Sequence, residues 1–155
     1  MLQRIQTIYL SIIVILSGIT IFSPFAGLYN KIASLEYIMN YKGIFLVQEA
    51  GEVFQSSVWG LTAIAILVPV ISFITIFLYN KRMLQFRLTI INMILIPGFY
   101  ALLFIYLWFA GQNLHTEWSL KLVTAFPLVN LVLNFLALRA ISKDEALVRS
   151  LNRIR

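Results

Sequence analysis

Four long apolar runs, roughly Ile5–Leu28, Val58–Tyr79, Leu88–Ala110 and Leu120–Ile141, decide what this chain can fold into. A helix crosses a hydrocarbon core of roughly 30 Å with about 20 apolar residues, and each run reaches that length. The 155-residue chain is 61% hydrophobic and 12% charged, whereas a soluble domain carries about 25% charged residues. Helices buried in a soluble bundle still need a polar face, and these runs have almost none. The expected fold is therefore all-α and integral to a membrane. It is an up-and-down bundle of four transmembrane helices in one domain, with a small β-hairpin loop and a short C-terminal amphipathic helix.

Charge placement orients that bundle. Arg4, Lys81, Arg82, Arg87, Arg139, Lys143, Arg149, Arg153 and Arg155 fall on one side, with Asp144 and Glu145. Lys31, Lys42 and Lys121 fall on the other, with Glu36, Glu49, Glu52 and Glu117. Basic loops stay cytoplasmic, so both termini are expected inside, in a multi-pass protein of a cytoplasmic membrane. Trp59, Trp108 and Trp118 check this independently. Each lies at the outer end of a run, at the headgroup level that tryptophan prefers. The first run begins like a signal peptide but exceeds a typical 7–15-residue signal core, and Pro24-Phe25-Ala26 is a poor cleavage site. It reads as a retained helix, with Thr7, Ser11 and Gly18 on a stripe where a neighbour can approach closely.

Residues 29–57 form the only long loop. Its core, Ser34–Gln48, is rich in Tyr, Ile, Phe and Val and is broken by Asn40-Tyr41-Lys42-Gly43. That pattern predicts a β-hairpin; the alternative is a surface helix burying Leu35, Ile38 and Met39. Pro69, Pro97 and Pro127 interrupt the later runs. Each proline removes one backbone donor, and kinks are expected at Pro69 and at Pro97-Gly98, with Pro127 in the outer half of its helix. At the C-terminus, Ser142-Lys143-Asp144-Glu145 has the capping-box form. It predicts a helix over 142–155 with Leu147, Leu151 and Ile154 on one face and Arg149 and Arg153 on another. Such a helix suits anionic lipid, a partner, or the Lys81–Arg87 connection.

Several chemistries are excluded. Without cysteine there is no disulfide, thiol catalysis or Cys-ligated metal. His115 with Glu117 is too small a set for zinc. Glu36, Glu49 and Glu52 read as solvated loop charges, since acid–base catalysis needs a held pair in a shaped pocket. No ionisable residue falls near the middle of any run, where ion-coupled transporters place one. The single aspartate, Asp144, excludes a paired-aspartate protease, and neither a phosphate loop nor a GxSxG elbow is present. The polar residues inside the runs that most invite explanation are Asn92, Asn130 and Asn134. Asn130 and Asn134 face one way on the fourth helix. Asn92 and Asn134 lie at equal depth, roughly 7–8 Å from the basic layer at 1.5 Å per residue. A hydrogen bond between them is expected, as helix–helix packing.

The opening Gln3-Arg4-Ile5-Gln6-Thr7-Ile8-Tyr9-Leu10 resembles one end of an uncharacterised four-helix membrane family of Bacteroidota, catalogued as a domain of unknown function. Lys143-Asp144-Glu145-Ala146-Leu147-Val148-Arg149-Ser150 and Asn152-Arg153-Ile154-Arg155 resemble the other end. The likeness spans the chain and implies a bacterial inner-membrane location, with no activity or catalytic residue. The expected function is a non-enzymatic accessory or scaffold subunit. Its expected partners are membrane lipids and another membrane protein, without nucleic acid or a cofactor. The alternative is a small oligomeric transporter or channel for an uncharged or polar solute, with Asn92, Asn130 and Asn134 along its path.

Overall fold

The computed structural model describes residues 3–31, 33–48, 51–78 and 81–152, with the side chains of 3, 4 and 144–152 set aside. Among these residues, α1 (Gln3–Phe22) leads into β1 (Ala26–Asn30), β2 (Leu35–Asn40), β3 (Gly43–Gln48) and β4 (Gly51–Ser56). Then come α2 (Trp59–Phe77), α3 (Arg82–Leu114), β5 (Glu117–Leu120), a 3₁₀ turn (Leu122–Ala125) and α4 (Phe126–Asn152). Each helix packs on its sequence neighbours, and α1 closes the ring against α4. All four contain segments long and apolar enough to cross a membrane, and only 28% of each such segment is buried within the protein. The rest presents residues such as Ile15, Phe73, Ile94, Phe104 and Val132 outward. Outward apolar faces suit lipid and would be unstable in water.

The all-α expectation is overturned. The strands form one antiparallel sheet in the order β4-β3-β2-β1-β5, seated on the end of the bundle where α1 and α3 finish and α2 and α4 begin. The turn at Asn40–Gly43 does join two strands, but β2 and β3 are two of the three inner strands of a larger sheet, and no surface helix forms at Leu35–Met39. Asn40 makes the turn by accepting the amides of Lys42 (3.0 Å) and Gly43 (3.3 Å) at its own Oδ1, the local bonding that favours Asn in turns. β1 takes its first three residues from the first apolar run, expected to be helix through Leu28, and β5 forms in the short connection before the fourth run, sharing only Leu120 with it. The first helix stops at Phe22, and Ala26–Asn30 turns into the sheet. Trp118, Ser119 and Leu120 pair with Leu28, Gly27 and Ala26.

The apolar residues of β1 meet protein, not lipid. Ala26, Leu28, Tyr37, Met39, Ile44 and Leu46 are buried on one face of the sheet. They share a core with Val58 just before α2, with Leu61 and Ala65 of α2 and with Phe99, Leu103 and Leu107 of α3. Alternation of buried and exposed residues along β2 reflects the two-residue period of a strand. Phe25, fully buried, joins sheet to bundle. Its amide donates to Met39 O (2.8 Å), its carbonyl accepts from Lys121 N (3.1 Å) and Thr124 Oγ1, and its ring meets Phe99 edge-on at 5.7 Å.

Two further boundaries differ from expectation. α3 runs 33 residues, about 50 Å at 1.5 Å per residue, so it exceeds a hydrocarbon core by roughly 20 Å. Arg82 and Arg87 therefore lie on the helix rather than in a connecting loop. α4 continues through Ser142 to Asn152 as one helix. Ser142 Oγ donates to Leu138 O at 2.9 Å, a mid-helix bond, so Ser142 is not an N-cap and no separate C-terminal helix starts there. Pro127 sits in the first turn of α4, where its missing N–H costs nothing.

Candidate functional site

Polar side chains inside the bundle form a linked set. Asn92 (α3) donates through Nδ2 to Ser72 Oγ of α2 at 2.7 Å and lies 3.5 Å from Asn134 Oδ1 of α4. Asn134 Nδ2 donates to Asn130 O at 3.1 Å, and Asn130 Nδ2 to Ser17 Oγ of α1 at 3.0 Å. All three asparagines are buried. The structure thus brings Asn92 near Asn134, at the outer limit of a hydrogen bond, while giving Asn92 a shorter partner on α2. Ser72 and Ser17 were not singled out from the sequence, and neither was buried Thr20. Serine is common in apolar helices, so only the facing asparagine marks the ones that matter. Thr7 is exposed, and the buried polar groups of α1 are Gln6, Ser17 and Thr20.

In a double-mutant cycle, Asn92→Ala with Ser72→Ala should show coupling of about 0.6 kcal/mol, reaching no more than about 2. Asn92→Ala with Asn134→Ala should couple less, since their separation is 3.5 Å. Reversible unfolding in mixed detergent micelles reads both. Equal coupling for the two pairs would contradict the distances.

The tail residues give less. Leu147, Arg149 and Leu151 lie on α4, with side chains outside the described residues, and Arg153 and Ile154 lie beyond the described chain.

At the sheet end, Trp59 opens α2, Trp108 lies near the end of α3 and Trp118 lies on β5; all three are exposed. Trp118 packs edge-on against Phe104 at 6.1 Å. His115 adopts a left-handed backbone (φ 49°) and ends α3, a conformation common just past a helix end. Asn30 Nδ2 supports that end by donating to Leu114 O at 2.8 Å. Glu117 pairs with Lys31, both largely exposed. Glu36 faces Val47, and Val47 faces Glu52. The two carboxylates are thus two strand spacings apart, roughly 10 Å, and do not form a held pair. Glu49 lies outside the described residues. Among the described residues, no group of three His, Asp or Glu could hold a metal ion.

Both edge strands of the sheet, β4 and β5, are exposed throughout, and of the two β4 lies beside a groove. Every β4 residue is exposed, with Val53 at 46% and Phe54 at 55%. β4 is an edge strand, so one row of its backbone groups faces away from the sheet. Beside it, a groove of about 380 Å³ runs between Gln55 and Ser56 of β4 and Tyr106, Phe109 and Asn113 of α3. Edge and groove together can take an added strand, with main-chain bonds along the edge and a side chain in the groove.

The fold and this site define a class: four helices long and apolar enough to cross a membrane, capped at one end by an antiparallel sheet with an open edge. Residues 2–154 match the family described as a domain of unknown function, DUF4293, and the chain belongs to that family. The curated proteins offer no match.

Proposed function

We propose that this chain is a non-enzymatic integral protein of a bacterial inner membrane, acting as an accessory or scaffold subunit that holds another membrane protein. Both termini are cytoplasmic in this reading, since the basic residues Lys81, Arg82, Arg87, Arg139 and Lys143 lie at the end opposite the sheet. The sheet then faces the extracytoplasmic side, with the three tryptophans near the headgroups. The observation that carries the reading is the fully exposed β4 edge beside its groove. The edge carries one charge, Glu52, and a register shift in its ladder, yet Val53 and Phe54 stay exposed on it, and an exposed edge of this kind can take a strand or loop from a partner.

The test introduces one charge. Val53→Lys should leave the melting temperature of the detergent-solubilised protein nearly unchanged, because the residue is half exposed. It should remove a stoichiometric partner that co-purifies with the unaltered chain in mild detergent. A partner retained by Val53→Lys at full stoichiometry sinks the edge as the docking site. A small oligomeric transporter or channel for an uncharged or polar solute is the second reading. It is favoured by the buried Asn92 Oδ1 and Asn130 Oδ1, which lack hydrogen-bond partners among the described residues. Solute flux into liposomes containing a purified homo-oligomer, lost in Asn92→Ala, would support it over the scaffold.

A further inference from the structure

In the half of the bundle nearer the sheet lies a small cavity of about 20 Å³, bounded by Ser17 and Thr20 of α1, Ala65 and Val68 of α2, Phe99 of α3 and Asn130 of α4. Three independent features meet there. Asn130 is 1% exposed, its Nδ2 is engaged by Ser17 Oγ, and its Oδ1 has no partner among the described residues. Ala65 lies four residues before Pro69, so the amide that would bond its carbonyl is missing. The volume matches one water, which needs at least 10–15 Å³ of such space. In an apolar interior a freed carbonyl has to be satisfied from within the protein or by bound water.

We propose that this cavity holds one ordered water, donating to Asn130 Oδ1 and to the Ala65 carbonyl and accepting from the Ser17 hydroxyl. Three bonds are typical of a buried water. The water ties the kinked segment of α2 to α1 and α4, so the proline bend is held by a specific bridge. A monovalent cation is the competing occupant, because oxygens of Ser17, Thr20 and Asn130 are available around the cavity. No lining residue is acidic, however, and an uncompensated charge in low-dielectric surroundings is strongly disfavoured.

Two measurements on the full chain test this. A structure of the detergent-solubilised protein at resolution sufficient for waters should show one density peak within hydrogen-bonding distance of Asn130 Oδ1. An empty cavity overturns the proposal. So does a rubidium or thallium anomalous peak at that position. Thermal melting in lithium, sodium and potassium chloride at equal ionic strength should give the same midpoint, and a rise specific to one cation overturns the water. The bridge further makes Pro69→Ala and Asn130→Leu non-additive in melting temperature. Pro69→Ala restores the amide donor to Ala65 and so removes one end of the bridge. Additive shifts count against the bridge, and should Asn130→Leu not fold, the density at Asn130 Oδ1 in the unaltered chain decides.

Discussion

Phe25→Ala is expected to destabilise the protein by about 3–5 kcal/mol, the range for deleting a buried aromatic side chain. Phe25 is fully buried, and its ring lies between the sheet and α3, edge-on to Phe99. The backbone bonds of residue 25 to Met39, Lys121 and Thr124 survive the substitution in principle, so the loss reports packing. It should fall unevenly. Hydrogen exchange should rise first in β1 and β5, the strands that leave and re-enter the bundle beside Phe25, while the centres of α2 and α3 stay protected. Unfolding in mixed micelles, followed by exchange on the native state, checks both parts. A loss below 1 kcal/mol would mean that sheet and bundle are not joined through this residue.

Gly43→Ala is expected to cost about 1–3 kcal/mol, the range for forcing atoms into a packed site. It should do so by loosening β4 from β3. Gly43 has φ +155°, and a Cβ there would lie 2.4 Å from the Ser56 carbonyl oxygen and 2.8 Å from the Phe54 ring. The ring can swing away; the backbone carbonyl of the paired strand cannot. The ladder is already irregular at this point, with a register shift between Ile44 and Phe45. Exchange at Val53–Ser56 should therefore quicken with the helices unaffected. If the scaffold reading holds, the co-purifying partner should be lost as well. Partner binding kept despite a mobile β4 would place the docking surface elsewhere.

Much of the bundle was legible from hydropathy. α2 and the body of α3 lie close to the apolar runs that predict them, because an outward apolar face and an inward apolar face both read as one long run. The same indifference hid the sheet. Phe25-Ala26-Gly27-Leu28 looks like the end of a transmembrane helix, yet its apolarity serves the interface between sheet and bundle. β5 is four residues long, too short to display alternation, and its partner strand lies about ninety positions earlier in the chain. At Ser142 the local capping pattern lost to continuation of the helix, which satisfies the same backbone groups without a break.

The candidate site was legible only in part. The three asparagines stand out in apolar helices because polar groups there need partners. Their partners Ser17 and Ser72 do not stand out, since pairing depends on which helix faces which. The open edge of β4 is not visible in Gly51–Ser56 at all, because an edge strand differs from a central one only by what lies beside it.

Sequence alone therefore determined that four segments are long and apolar enough to cross a membrane, that charge is concentrated toward one end, and that cysteine chemistry is absent. These follow from composition and spacing, which act residue by residue along the chain. Only the tertiary structure decided that the end of the first apolar run turns into a sheet, that Phe25 joins sheet to bundle, and which strands form the sheet's edges. Those outcomes depend on contacts between residues far apart in sequence, and hydropathy cannot distinguish burial against protein from burial against lipid.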